Sequence, residues 1–380
     1  MLHAHPFRIL LCCFCIIQTL VSCTSLPVSG TIPPGISIEQ ISRIPLNSPF
    51  APDPAGKQVA LMHDGLVLLN VSTRNSTPVS PDTPQALAWT PDGQRLAAGF
   101  MDEHGSQVRI YDTGGNMLGS NTIAGRISTL VWRDENELLI GAMETNVYSF
   151  GVNFVQVLYR WDIGKTPLRI ELHNSSLRKK VSQKLGTELY RLFTFALSPY
   201  GDAIVYTQLH DPPAFSPFIF HILRNLATGS EREVASASLY AGGAIFAGGD
   251  DRILYGDGET KTVLRDPWHK RDLADFPHSG HTVAASGGGS TLLVDGNLLR
   301  AGQQLFSFPA DTIGSFNADG SHLFVRQADR LLLVSGLPPD PSPPVPAMNR
   351  NRFLTLRQWR SDGLINPADF TNTLERMETP

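Results

Sequence analysis

The stretch from Ala86 to Phe100, ALAWTPDGQRLAAGF, constrains the fold more than any other. It reads as an apolar strand, a tight Pro-Asp-Gly turn and a second apolar strand. Relatives of it recur along the chain. FAPDPAGKQVALM begins at Phe50, VWRDENELLIGA at Val131 and FALSPYGDAIVYTQ at Phe195. VAASGGGSTLLVDG begins at Val283 and GSFNADGSHLFVRQ at Gly314, and a weaker copy, GGAIFAGGDDRILYGDG, begins at Gly242. Each main copy places Gly or Asn at its turn (Gly56, Gly93, Asn136, Gly201, Gly288, Gly320), because a tight hairpin takes at least one residue to positive φ. Several copies are followed by a strand that runs into Asp or Asn plus Gly, as in Val108–Gly115, Tyr159–Lys165 and Leu223–Gly229. The repeating unit is therefore four short strands. Such a unit cannot bury both faces alone, whereas a radial arrangement of units buries them and leaves only short edges.

This pattern resembles the β-propellers of the WD-repeat and Tol-Pal-type periplasmic families, whose blades carry a similar turn. Trp89-Thr90-Pro91-Asp92-Gly93 is the copy nearest to their consensus, and Trp161-Asp162 is a Trp-Asp pair out of register. The resemblance covers Ile38 to Gly336 and implies an all-β propeller over residues 38–336. Seven units of about 43 residues fit the usual blade length better than six of about 50. Ile36 to Leu46 (ISIEQISRIPL) has strand character and no turn partner of its own. It is expected to complete the last blade, whose own strands end at Leu331–Ser335, and so to remove the last open edge. Gly 33, Pro 28 and a charged fraction of 17% suit short strands and tight turns. A net charge of −4 without a long basic run argues against nucleic acid as a partner.

All cysteines, Cys12, Cys13, Cys15 and Cys23, lie at the amino terminus. The body can therefore form no internal disulfide and offers no thiolate to a metal or a substrate. Residues 1–22 have the parts of an export signal: Arg8, an apolar run from Ile9 to Ile17, and a small-residue end. The apolar run falls short of the roughly 20 residues that span a bilayer. It ends in Leu20-Val21-Ser22-Cys23, which resembles the lipobox of bacterial lipoproteins. That resemblance implies a diacylglyceryl group on the Cys23 sulfur, cleavage before it, and acylation of the new amino group by palmitate or a similar chain. Several acyl chains hold far more firmly than the single chain that anchors only marginally. The competing reading is an ordinary secretory signal with Cys23 incidental. Thr24, where an Asp would favour inner-membrane retention in enteric-type bacteria, leans towards the outer membrane. Residues 23–37, rich in Pro, Gly and Ser, read as a tether.

His173 to Phe193 departs from the blade pattern. Asn174-Ser175-Ser176 could cap a helix through Leu177, Val181, Leu185 and Leu189. Arg178, Lys179, Lys180 and Lys184 would give it a basic face, suited to lipid headgroups or an acidic partner, or simply to solvent. Residues 337–349 form a Pro-rich linker. Residues 350–380 read as a helical hairpin resembling the short C-terminal module called SHOCT, carried by Leu356, Gly363, Leu364, Ile365, Asn366, Asp369 and Phe370. The resemblance implies docking or self-association through that hairpin, not catalysis.

Candidate chemistry is sparse. His278 and His281, with His269 and Asp272, sit in loop sequence where nothing predicts convergence on a metal. Ser286–Ser290 is Gly-rich but lacks the Lys and helix of a phosphate loop. Asp102-Glu103-His104 and Asp250-Asp251 read as polar turns, and Asn70, Asn75 and Asn174 as chance glycosylation matches. No cofactor or metal is expected. The expected function is a membrane-anchored envelope scaffold that binds a protein partner and is not an enzyme. The rivals are a hydrolase or lyase with its site at the central channel, and a carbohydrate or small-ligand module with aromatic side chains lining one face.

Overall fold

The repeats close into a ring. The computed structural model describes residues 28–102, 105–149, 151–185, 192–212, 216–239, 241–248 and 252–340. The export signal with Cys23, the linker beyond residue 340 and the expected helical hairpin lie outside the described residues. So do Glu103, His104, Asp250 and Asp251.

The described strands form seven four-stranded antiparallel sheets. The chain opens with β1 (Ser37–Arg43). Blade 1 holds β2 (Phe50–Pro52), β3 (Gln58–Met62), β4 (Leu66–Asn70) and β5 (Ser76–Ser80). Blade 2 holds β6 (Pro84–Trp89), β7 (Arg95–Asp102), β8 (Gly105–Asp112) and β9 (Met117–Ile123). Blade 3 holds β10 (Arg126–Trp132), β11 (Glu137–Tyr148), β12 (Gly151–Asp162) and β13 (Leu168–Arg178), followed by a short helix, α1 (Lys179–Leu185). Blade 4 holds β14 (Phe195–Leu197), β15 (Ala203–His210), β16 (Phe218–Asn225) and β17 (Glu231–Ser238). Blade 5 holds β18 (Ile245–Phe246), β19 (Ile253–Gly256), β20 (Thr262–Asp266) and β21 (Arg271–Phe276). Blade 6 holds β22 (Val283–Ala285), β23 (Thr291–Val294), β24 (Asn297–Arg300) and β25 (Gln303–Ser307). Blade 7 has β26 (Ile313–Phe316), β27 (Leu323–Gln327) and β28 (Arg330–Ser335), and β1 is its fourth strand. Ser37 lies opposite Ser335 and Arg43 opposite Arg330, so the amino-terminal strand closes the last blade as expected.

The first strands of successive blades touch in one unbroken cycle, β2 to β6 and onward to β26 and back to β2. They therefore surround a central channel. Middle strands such as LVLLN in β4 and TLLV in β23 are apolar without alternation because a neighbouring blade covers each of their faces. Outer strands such as STPVS in β5 and MLGSNTI in β9 are largely exposed. Seven buried apolar clusters, one at each blade junction, make up the core among the described residues. At two junctions a tryptophan adds a polar tie. Trp89 donates its indole N–H to the Ala51 carbonyl at 3.0 Å, and Trp132 donates to the Ala88 carbonyl at 3.0 Å. Each tryptophan ends a first strand and reaches the first strand of the preceding blade, which satisfies its N–H where burial would otherwise penalise it.

The hairpin turns follow the expected chemistry with two corrections. At Thr90–Gly93 the Asp92 carboxylate accepts from Thr90 Oγ1 and from the Gln94 amide, and Gly93 takes φ to 69°. In the Ser286–Ser290 turn the positive φ falls on Gly289, not on Gly288. At Asn136 the backbone is not left-handed, because the Asp134 carboxylate accepts the Asn136 and Glu137 amides and holds the turn in its place.

The helix expected within His173–Phe193 forms in part: it includes Val181 and Leu185 but starts later than the capping signal implies, and residues 186–191, with Leu189, lie outside the described residues. β13 runs on through Asn174-Ser175-Ser176 to Arg178, paired residue by residue with β12, and α1 begins only at Lys179. The twelve-residue strands β11 and β12 offer an edge that satisfies the β13 backbone, and that pairing overrides the local capping signal.

Both ends of the described chain are docked. Ser29 exchanges two backbone hydrogen bonds with Ser307 at the end of β25, at 2.8 and 3.0 Å, and Val28 packs on the blade 6–7 cluster. The part of the tether from Val28 onward thus lies on the propeller. At the other end Leu337 is buried in the same cluster, and Arg300 Nη1 donates to the Pro338 carbonyl at 2.8 Å.

Candidate functional site

A propeller has two faces, and connectivity distinguishes them. The turn face carries the first-to-second and third-to-fourth strand turns, including every Pro-Asp-Gly relative. The crossover face carries the second-to-third strand hairpins and the passages between blades.

On the turn face the channel opens into a cavity of about 540 Å³. Its wall comes from first strands and the turns that extend them. Val131, Trp132, Ile245, Phe246, Val283 and Phe316 make it mainly apolar, with serines and glycines between. Arg133 is the ionisable side chain of this lining, and it is engaged. Its Nη1 donates to Glu137 Oε2 at 2.7 Å and its Nε to the Gly201 carbonyl at 2.5 Å. Arg160 donates to the other Glu137 oxygen at 2.6 Å, so one buried carboxylate is shared by two guanidinium groups. This network ties blade 3 to the first turn of blade 4. The pocket is shaped for an apolar or aromatic group, with Trp132, Phe246 and Phe316 as the aromatic surfaces.

At the rim of this cavity lies a feature that the sequence did not disclose. Ser286–Ser290 is a hairpin turn, and it wraps the carboxylate of Asp340. Ser286 Oγ donates to Asp340 Oδ1 at 3.0 Å, Ser290 Oγ donates to the same oxygen, and the Gly288 amide donates to Oδ2. The Asp340 amide in turn donates to the Asp319 carbonyl at 2.8 Å in the matching turn of blade 7. A cluster of hydroxyls and a backbone N–H aimed at one point binds anions, and the occupant here is the chain's own side chain. Leu337–Asp340 thus forms a strap across blades 6 and 7, leaving the ring on the turn face. A Cβ on Gly288 would sit 2.7 Å from Asp340 Cβ. Gly288→Ala is therefore expected to lower unfolding stability by about 1–3 kcal/mol through overpacking. In an Asp340→Gly background, which removes the opposing Cβ as well, the same change should cost little. Urea unfolding of the four chains measures this, and equal penalties in both backgrounds would place the cost elsewhere.

The other candidates do not converge. His269 Nδ1 lies 2.7 Å from Asp266 Oδ2, Asp272 pairs with Arg265 at 3.1 Å, and His278 faces Asn297. Among the described residues no three His, Cys, Asp or Glu side chains are placed to hold a metal ion. Asn70 Oδ1 accepts the Ser72 and Thr73 amides, which makes its side chain part of a turn.

One histidine is fully buried and two others are half-buried against each other. His221 on β16 is fully buried against Tyr255, and burial pushes its pKa down to about 4. His173 and His210 meet between blades 3 and 4 with ring centroids 4.9 Å apart and planes tilted by 39°. Burial lowers both, and for His173 the neighbouring His210 lowers it further.

No protein-family model matches this chain, and no curated protein matches it. Solved structures do match in fold. The Dos1 propeller superposes with a TM-score of 0.52 at 11% identity, covering 79% of this chain and 94% of that one. The Cps50 (Swd1) β-propeller domain of Myceliophteria thermophila superposes with a TM-score of 0.50 at 12% identity, covering 81% and 99%. At such identities the likeness speaks for architecture alone, and it agrees with the ring described above: the chain folds as a seven-bladed β-propeller of four-stranded blades.

Proposed function

We propose that this chain is a lipid-anchored lipoprotein of a bacterial cell envelope whose propeller is a non-enzymatic scaffold for a protein partner. The observation that carries the reading is the turn-face cavity. Its wall is apolar and aromatic, and its one ionisable side chain, Arg133, is bound to Glu137 and Gly201. Acid–base or nucleophilic chemistry needs polar groups converging on a reacting atom; an apolar anchor side chain from a partner needs the kind of surface found here. Membrane attachment rests on the lipobox at Leu20-Val21-Ser22-Cys23. The SHOCT-like tail would add a second docking element, on the partner or on another copy of the chain.

A pull-down from native membranes, comparing the full chain with one ending at Asp340, tests the scaffold reading. Ending there keeps the strap in its cradle and removes only the linker and the tail. A discrete envelope protein is expected with the full chain, weakened on truncation, and lost when Phe246→Asp fills the cavity wall with charge. Retention unaffected by Phe246→Asp would move the binding surface off the channel. The aromatic lining also suits a small apolar ligand, and a compound that co-purifies with the ring in place of a protein would favour that reading.

A further inference from the structure

We propose that the crossover face lies against the membrane, touching it at two separated points: the acyl chains at Cys23 and the tip of the blade 3 hairpin. The proposal rests on the lipid-anchor reading above and adds an orientation and a second contact.

The first argument is chain length. Ser29 is fixed to Ser307, where β25 ends and blade 6 passes into blade 7, and this is the crossover face. Six residue steps separate Cys23 from Ser29, a reach of about 20 Å at full extension. Placing the turn face on the membrane would require the spacer to run back along β25, about 17 Å for five strand residues, with almost nothing left. The spacer is short enough to select the face.

The second argument is the shape and chemistry of blade 3. β11 and β12 are twelve residues long, against eight in β7, β8, β15 and β16 of the flanking blades. The hairpin therefore projects from the crossover face by about four residues, or about 13 Å. Near its tip stand Val147, 79% exposed, and Tyr148, 44% exposed. A tyrosine with one apolar and one wet end suits the headgroup layer. The register pairs Gly151 with Arg178, so Lys179 and Lys180, both exposed at the start of α1, come directly beside the tip. Arg178 is tied to Asp211, which leaves the lysines to meet anionic lipid. Exposed carboxylates elsewhere on the face, at Asp64, Glu259 and Asp311, confine the contact to this corner and the anchor. The channel mouth and the departing strap then point away from the membrane.

The body has no cysteine of its own, so a single reporter can be placed at will. The lipidated full chain would carry Val147→Cys, or Gln94→Cys on the turn face, labelled with an environment-sensitive fluorophore. It would be reconstituted in vesicles of one part phosphatidylglycerol to three parts phosphatidylethanolamine, with doxyl-labelled lipid as quencher. Quenching several-fold stronger at position 147 than at 94 is expected, and Lys179→Glu with Lys180→Glu should weaken it at least twofold. Equal quenching, or stronger quenching at 94, overturns the orientation. A change at 147 that tracks protein density without quencher lipid would mean a second copy covers the tip, and also overturns it. Fractionation of the native chain beside Cys23→Ser separates the two readings. If both distribute alike, the anchor itself fails; if only the native chain stays with membranes and position 147 is unquenched, this proposal alone fails.

Discussion

Replacing Ile41 and Ile44 together by alanine is expected to bring the ring close to its unfolding threshold. Both side chains are buried, at 6% and 2% exposure, in the cluster that joins blade 7 to blade 1 through Val59, Leu61, Phe324, Leu331 and Leu333. A buried Ile→Ala change costs about 2–5 kcal/mol, so the pair removes about 4–8 kcal/mol after allowing for coupling between neighbours. A typical domain has only about 5–15 kcal/mol to lose. The location makes matters worse, because β1 is what covers β28. Once β1 detaches, the Leu331–Val334 run becomes an open apolar edge ready to pair with another chain. The expected result is an early or broadened urea transition together with oligomers on size exclusion. Glu39→Ala on the same strand is the control. Glu39 is exposed and, among the described residues, bridges to Arg74, so its loss should cost about 1 kcal/mol or less. If the double variant unfolds where Glu39→Ala does, β1 contributes little to closure and the argument is wrong.

Acid should destabilise the propeller through His221 more than through any single surface group. Burial holds its folded-state pKa at about 4, while an unfolded chain binds that proton near pH 6.5. Below about pH 6.5 the unfolded state therefore takes up a proton that the folded state refuses. Stability falls as pH drops, and the loss is complete only once pH passes below about 4, where the folded state binds it too. The difference corresponds to about 3 kcal/mol. His173 and His210 are lowered in the same sense, so they too withdraw stability as pH falls below the ordinary histidine value. His221→Leu, which keeps an apolar side chain of similar bulk, should flatten the profile between pH 6.5 and 4 while leaving the part due to the other two. Urea midpoints across that range provide the measurement. Parallel profiles for the two chains would mean that His221 titrates alike folded and unfolded.

Much of the architecture was legible because propeller blades are specified locally. Turn residues such as Asp92 and Gly93 act within a few positions, and the apolar runs of β4 or β23 announce burial on both faces. The closing strand was legible for a related reason: ISIEQISRIPL has strand character and nothing nearby to pair with. Where a distant partner decided the outcome, local reading failed. Asn174-Ser175-Ser176 looks like a helix cap until β12 supplies an edge, and three consecutive glycines at 287–289 do not reveal which one turns left-handed. The Asp340 cradle was invisible because its partners lie 50 to 54 residues away, and Asp340 itself stands among prolines. The channel wall was half legible. Trp132 stood inside a recognised repeat, but its meeting with Phe246 and Phe316 comes only from closing the ring.

The two docked ends have a mechanical consequence. The chain enters the ring at Ser29 on the crossover face and leaves it past Asp340 on the turn face, and both points belong to blades 6 and 7. Tension between a membrane on one side and a tethered partner on the other would pass through this sector alone. The Ser29–Ser307 bridge, with two hydrogen bonds, would give way first and release slack before any force reached the β1–β28 ladder. Blades 1 to 5 would feel none of it, so a partner seated on them would experience a platform held still while the seam beside it absorbed the pull.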